Sequence, residues 1–315
     1  MRALVFDGRL WLDRQCPQPI IKLGENLLRI RKAGICNTDL ELVAGMYGFS
    51  GVLGHEFVAD VVEGAEEFVG KRVVGEISVV CGQCDFCHRG IPSQCRNRDT
   101  VGIRRYPGAF SDYLVLPSRN LHIVPDSVTD NEAVFAEPLA AALQVTEAIH
   151  ISPRNRVIVL GMGKLGMLIA QILKLTGAEV VGVTKRAKQV DLLEKWGIQP
   201  AARGDLSDQS APVIVDVTGD PSGFADALAL VESRGTVVLK STYHGLPQTD
   251  LTQIAVREIR VVGSRCGPFD AALRLLKHKL VDVNTLIEGT YSIEDSLSAM
   301  EHAAQQGALK ILLDF

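Results

Sequence analysis

The sequence predicts an α/β protein in which a mainly-β segment is followed by a doubly wound parallel sheet of six strands. Three observations carry that expectation. The first 35 residues alternate short strand-like runs (3–6, 10–12 and 27–32) with Pro and Gly turns. From residue 156 onward, short apolar runs alternate with stretches of helical periodicity. A chain of 315 residues is also longer than one hydrophobic core usually grows, so two domains are expected.

Composition narrows the class. With 47% hydrophobic and 22% charged residues, the chain reads as an ordinary soluble globular protein. A net charge of −4 argues against a nucleic-acid footprint. There is no cationic leader before an apolar region and no apolar run near membrane-spanning length. The expectation is a cytoplasmic protein with a small-molecule partner and no membrane or nucleic-acid partner. The seven cysteines are few for a disulfide scaffold of this size, and their clustering points to metal.

The first chemistry-bearing stretch is Ala33-Gly-Ile-Cys-Asn-Thr-Asp-Leu-Glu41, followed by Gly54-His55-Glu56. A thiolate at Cys36 and an imidazole at His55 suit zinc with an open position. Alone, the pair reads more simply as a buried cysteine and a hydrogen-bonded core histidine. Thr38 and Glu41 have the S/T-x-x-E spacing of a capping box at a helix start. Tyr47 and Phe49, just upstream of His55, serve either as pocket walls or as loop anchors.

The segment 81–95 reads C-x2-C-x2-C-x7-C through Cys81, Cys84, Cys87 and Cys95. Four soft ligands on one short lobe suit a closed tetrahedral zinc site. Zinc so bound contributes roughly 10–16 kcal/mol, enough to order a loop with little core of its own. Two disulfides or an iron–sulfur cluster are the alternatives, disfavoured by a reducing compartment and by how close the first three cysteines lie.

The stretch 156–186 organises the second half. An apolar run at 157–160 is followed by Gly161, Gly163 and Gly166 in GxGxxG spacing, then by a helix over 164–175. Leu165, Leu168, Ile169, Ile172 and Leu175 give that helix one core-facing stripe, and Gly177 stops it. A second strand at 180–183 completes a βαβ unit, the setting in which a helix N-terminus meets a dinucleotide pyrophosphate. The second strand ends in Thr184, Lys185 and Arg186, with no carboxylate for a ribose 2′-hydroxyl, and Arg186 suits a 2′-phosphate. NADP is therefore expected over NAD. The bland alternative is that Lys185, Arg186 and Lys188 form a solvated loop and helix start.

Further strands are expected at 213–217, 236–239 and 259–262, with helices near 221–232 and 249–257. Strand ends such as Thr218 should face the cofactor. From Cys266 the chain returns to the first domain, ending in a strand near 309–315. Cys16 and Cys266 have no partner pattern and read as structural.

GICNTDL (34–40), GHE (54–56), the four-cysteine lobe, AEPLA (136–140), GMGKLG (161–166) and GSRCG (263–267) together resemble the zinc-dependent medium-chain dehydrogenase/reductase family over essentially the full length. These are the alcohol, polyol, sugar and threonine dehydrogenases. The resemblance implies a GroES-like, mainly-β catalytic domain over 1–137, a Rossmann domain over 138–265, and a return to the catalytic domain over 266–315. It implies two zinc ions per chain. One is catalytic on Cys36, His55 and Glu137; the other is structural on Cys81, Cys84, Cys87 and Cys95.

Gly161, Gly163, Lys164, Leu165 and Gly166, with Thr184, Lys185, Arg186 and Thr218, are then the cofactor residues. Glu56 stands beside the metal or swings onto it, Thr38 takes the substrate proton, and Asp39 orients a ligand. Glu41 occupies a position where many relatives carry a proton-passing histidine, so it reads either as a relay or as a cap. The implied activity is hydride transfer between an alcohol, with a polyol or sugar-like hydroxyl favoured, and NADP in a homodimer or homotetramer. A broad alcohol dehydrogenase or aldehyde reductase is the alternative, and a non-catalytic cofactor-binding regulator is a third.

Overall fold

The computed structural model describes residues 1–242 and 246–315. The chain divides into two compact units, Met1–Glu137 with Phe269–Phe315, and Pro138–Pro268. The first unit is thus built from two separated stretches of chain.

Its main sheet has seven strands. The path runs Leu121–Ile123, Arg72–Gly75, Glu56–Glu63, Glu25–Ile35, Lys310–Asp314 and Ile287–Ser292, and Tyr113–Pro117 also pairs with Glu25–Ile35. Glu25–Ile35 extends to 11 residues, well past the expected 27–32, because its last residues, Ala33-Gly34-Ile35, are buried and paired with neighbouring strands. Two registers shape one corner of this sheet. Gly34 lies opposite Glu56 in one neighbour and opposite Leu312 in the other. The residues just beyond these pairs, Cys36, His55 and Lys310, therefore converge where three strand ends meet. Two three-stranded sheets complete the unit, one from Leu10–Asp13, Ala3–Phe6 and Gly51–Val52, the other from Ser78–Val79, Asp99–Val101 and Arg105–Tyr106.

The second unit is a six-stranded, wholly parallel sheet. Its strands lie in the order Gln199–Ala201, Glu179–Val183, Arg156–Leu160, Ala211–Asp216, Val231–Leu239 and Arg260–Gly263. This is the 3-2-1-4-5-6 arrangement of a doubly wound sheet, whose switch point falls between Arg156–Leu160 and Ala211–Asp216. Ile158, Val181, Ile214 and Val237 are buried along the sheet, with Phe224, Leu228 and Leu230 from Ser222–Leu230 packed onto it.

Some expectations are corrected. The helix Lys164–Leu175 is buried continuously from Gly166 to Leu173 and not along one stripe, while Leu175 is 49% exposed at its last turn. A helix apolar on all sides is an interior helix. The helix expected over 221–232 ends at Leu230, because Val231 already pairs with Ala211. The strand Gln199–Ala201 carries too short a run, interrupted by Pro200, to be legible beforehand. Among the described residues no helix is long and apolar enough to cross a membrane.

Candidate functional site

In the first unit, Cys36, His55 and Glu56 bring one ligand atom each within 4.8 Å of one another. Their meeting is set by strand register: Cys36 leaves the end of Glu25–Ile35 as His55 enters Glu56–Glu63. Close backbone packing fixes His55 further. Gly54 adopts φ +94°, and a Cβ there would meet the Phe110 ring at 2.3 Å, while one at Gly108 would meet the Leu53 carbonyl at 2.0 Å. Only glycine fits such approaches.

Asp39 braces this corner. It is fully buried, accepts from the Cys36 N–H (2.9 Å) and the Gly54 N–H (3.2 Å), and its Oδ1 lies 3.3 Å from His55 Nδ1. That last contact has ion-pair distance without hydrogen-bond alignment. Burial alone would push the His55 pKa down; the Asp39 carboxylate, then Cys36, outweigh it and hold the imidazole well above its ordinary value.

The expected capping box is displaced. The helix is Asn37–Val43 with Cys36 at its N-cap, so Thr38 lies inside its first turn and Asp39, not Glu41, reaches back to the cap N–H. The Thr38 hydroxyl lies 3.7 Å from Cys36 Sγ, at the ligand cluster, and Glu41 is half-buried. Tyr47 is 73% exposed at φ +59° and Phe49 is half-buried.

Sequence reasoning missed Lys310. It is 2% exposed and paired with Glu56, itself 1% exposed. Its chain passes Gly34, where a Cβ would stand 2.5 Å from Glu56 Oε2 and 3.4 Å from Lys310 Cδ, and its ammonium lies 5.7 Å from the Phe135 ring centre. Burial would lower the Lys310 pKa, but the charges of Glu56, Cys36 and Glu137 outweigh it and keep the side chain a cation. The signal was available as a lone Lys in the apolar run LKILL. Glu137 is half-buried and falls outside the ligand-atom cluster, in which Glu56 is the carboxylate.

The second cluster is Cys81, Cys84, Cys87 and Cys95. Its Sγ atoms stand 3.5 Å (Cys81–Cys95), 3.6 Å (Cys84–Cys87) and 3.8 Å (Cys84–Cys95) apart. A disulfide needs about 2.05 Å. Tetrahedral zinc with Zn–S near 2.3 Å needs an edge of about 3.8 Å, so this lobe fits zinc. Backbone N–H groups already favour thiolate here: Gln83 and Cys84 bring Cys81 down to about 6, and Arg96 and Cys87 lower Cys84. Burial, then the neighbouring thiols, push Cys87 up to about 12. The thiolate, imidazole and carboxylate of the first cluster are likewise a zinc donor set.

In the second unit the glycine turn opens at the switch point. Gly161 has φ +97°, and a Cβ on Gly166 would stand 1.9 Å from the Gly161 carbonyl, so the helix packs directly on the turn. At Gly163, the N-cap of Lys164–Leu175, a Cβ would meet nothing within 4 Å, and the glycine itself brings no capping side chain. An open glycine turn at a helix N-terminus has the room and the N–H groups that suit a pyrophosphate; Lys164 and Leu165 beside it are half-buried. Thr184 is half-buried and its hydroxyl accepts from the Arg186 N–H at 3.2 Å; Lys185, Arg186 and Thr218 are exposed.

Comparison with known proteins bears on both units. Residues 22–126 match the alcohol dehydrogenase GroES-like domain and residues 165–278 the zinc-binding dehydrogenase domain. The chain is 31% identical to an L-threonine 3-dehydrogenase of Chelativorans sp. over 264 residues, 76% of either chain. It belongs to the zinc-dependent medium-chain dehydrogenase/reductase family.

The activity of the chain is accordingly an alcohol-type oxidoreduction. A sorbitol dehydrogenase of Halalkalibacterium halodurans is 29% identical over 322 residues, covering 94% of this chain and 93% of that one. A zinc-binding dehydrogenase from Sinorhizobium meliloti, solved bound to NADP, superposes with a TM-score of 0.91 at 25% identity, covering 100% of this chain and 99% of that one. The GroES-like and Rossmann-like architecture expected from the sequence is thus established.

Proposed function

We propose that the protein is a zinc-dependent dehydrogenase that interconverts a hydroxyl, on a polyol or sugar-like alcohol in preference to a simple one, with its carbonyl, using NADP in preference to NAD. The observation that carries this reading is the convergence of Cys36, His55 and Glu56 beside a buried Asp39 and within reach of the Thr38 hydroxyl. Cys36 and His55 would hold the catalytic zinc, with Glu137 as third ligand by the family pattern and Glu56 as the alternate carboxylate. Cys81, Cys84, Cys87 and Cys95 would hold the structural one.

When bound, zinc supplies Lewis acidity toward the substrate oxygen and the nicotinamide supplies the hydride acceptor. Thr38 Oγ1 takes the substrate hydroxyl proton as it releases its own to solvent. The Asp39 carboxylate stands 3.3 Å from His55 Nδ1, so Nε2 is the ring nitrogen that would face the metal. The polyol preference is supported by the likeness to a sorbitol dehydrogenase, and the NADP preference by the Thr184-Lys185-Arg186 strand end. The second unit carries the cofactor and the first carries the metal chemistry.

Elemental analysis of zinc per chain, on protein purified under reducing conditions, tests the reading together with NADP and NAD turnover on polyols and simple alcohols. Two zincs per chain and turnover favouring NADP and a polyol are expected. A single zinc, lost with the fold when Cys81 is mutated, would leave the regulator reading in front. A specificity constant for NAD equal to that for NADP would overturn the cofactor assignment alone.

A further inference from the structure

The end of Ala211–Asp216 carries a carboxylate with no role in the metal chemistry. Asp216 is fully buried, and its Oδ1 accepts from three donors: the Thr218 N–H (3.0 Å), the Thr218 hydroxyl (2.8 Å) and the Ser241 hydroxyl (2.9 Å). Its Oδ2 is buried and has no hydrogen-bond partner among the described residues. The Asp216 carbonyl accepts the N–H groups of Lys240 (2.9 Å) and Ser241 (3.2 Å), and Ser241 Oγ in turn accepts the Gly219 N–H at 3.0 Å. One residue therefore ties together the loops leaving two adjacent strands, Ala211–Asp216 and Val231–Leu239.

What these loops touch gives the arrangement its meaning. A Cβ on Gly161 would stand 2.7 Å from Thr218 Cα and 2.8 Å from the Val217 carbonyl, and one on Gly223 would meet Thr218 Oγ1 at 2.1 Å. The first glycine of the phosphate turn thus rests directly on the Val217–Thr218 backbone, which Asp216 holds from below. Oδ1 is the one acceptor that these three donors share, and its burial keeps water from replacing it. The hydroxyls of Thr218 and Ser241 both reach Asp216 Oδ1, while Thr218 Oγ1 also stands 3.2 Å from the Asp220 carbonyl and accepts the Asp220 N–H at 3.2 Å. Their remaining lone pairs present acceptors to whatever binds at this strand end.

We infer that Asp216 is a positioning residue of the dinucleotide site: it sets the shelf under Gly161 and commits Thr218 and Ser241 to accept from a hydrogen-bond donor of the cofactor, such as a ribose hydroxyl. The inference rests on the dinucleotide reading of this unit.

The test is titration of NADPH and NADH into the zinc-loaded full chain, followed by nicotinamide fluorescence, with zinc content and thermal midpoint measured alongside. Asp216→Ala is expected to weaken NADPH binding about 10- to 100-fold with zinc content unchanged, since three donors lose a buried acceptor. Ser241→Ala is expected to weaken it several-fold. Asp216→Asn, whose amide oxygen can take the same donors, is expected to recover most of the loss. NADPH binding within about threefold of wild type in Asp216→Ala, whatever the thermal midpoint, overturns the role. Failure of Asp216→Asn to recover binding also overturns it, because charge and not placement would then be what matters. Should Asp216→Ala fail to fold, Ser241→Ala and Asp216→Asn decide alone: wild-type affinity in Ser241→Ala, or a large loss in Asp216→Asn, overturns the role. Absence of binding by the wild-type chain to either nucleotide removes the dinucleotide reading and the inference together.

Discussion

The Lys310–Glu56 pair offers the sharpest quantitative test of how the Cys36–His55–Glu56 corner is held. Replacing Lys310 by Met keeps most of the aliphatic stem, and with it the packing against Phe135 and Gly34, while deleting the charge. The Glu56 carboxylate is 1% exposed and Lys310 is 2% exposed, so water cannot replace the lost partner. Removing one member of such a buried pair costs about 3–5 kcal/mol, whereas removing both is often close to neutral. Lys310→Met should therefore destabilise the first unit by about 3–5 kcal/mol, and Lys310→Met/Glu56→Gln should regain most of that loss.

The chain has two tryptophans, Trp11 in the first unit and Trp196 in the second. In a Trp196→Phe background, urea unfolding followed by Trp11 fluorescence reports the first unit alone. A loss below about 1 kcal/mol in the single variant, or a double variant equal to the sum of the singles, refutes the dependence of Glu56 on this cation.

Other consequences stem from the same geometry. Gly34→Ala puts a methyl 2.5 Å from Glu56 Oε2 and 2.8 Å from Val134 Cγ1, so a loss of about 1–3 kcal/mol is expected, with altered zinc retention on dialysis; an unchanged urea midpoint would contradict the close packing. Lys185→Ala/Arg186→Ala should lower the NADP specificity constant by about 10- to 100-fold and leave NAD within about threefold, if the strand end recognises a 2′-phosphate; steady-state kinetics with both cofactors decides. His122 predicts a pH effect. It stands between Glu76 (3.2 Å) and Asp270 (2.8 Å) and stacks on Phe269; burial would lower its pKa, but the two carboxylates raise it overall. A raised folded pKa makes this contribution full below the unfolded value near 6.5 and lost as pH rises through the folded value. Stability should thus fall over that window by up to about 1 kcal/mol, and His122→Gln should flatten the slope in urea titrations taken at successive pH values.

The parts of the molecule that were legible in advance are those whose determinants are local. The turn 161–166 announces itself because positive φ and close approach demand glycine at fixed spacing, and the structure shows both demands at Gly161 and Gly166. The clustering of the cysteine lobe is legible for the same reason: its four thiols lie within one short loop. Lys310 was not legible as a partner of Glu56, since only the pairing of Ile311 with Ile35 and of Gly34 with Glu56 brings them together, and register between distant strands leaves no local pattern. The capping signal at Thr38 misled because Asp39 satisfies the same backbone need from a helix that starts at Asn37. Asp216 looked like the polar end of a buried strand, and its three donors come from a turn and from a second strand end that the pattern VIVDVTG does not mention.

The interrupted first unit has a consequence for how the protein is made. Glu56 and Lys310 are 254 residues apart, so at about 5–20 residues per second roughly 13 to 50 s separate their synthesis. Through that interval Glu25–Ile35, the strand that leads into Cys36, lacks its Lys310–Asp314 neighbour. The contiguous stretch Pro138–Pro268 emerges entirely within it. The nucleotide half is thus complete on the ribosome before the metal half can close, and a nascent chain stalled anywhere before Lys310 carries its Glu56 carboxylate without a counter-ion.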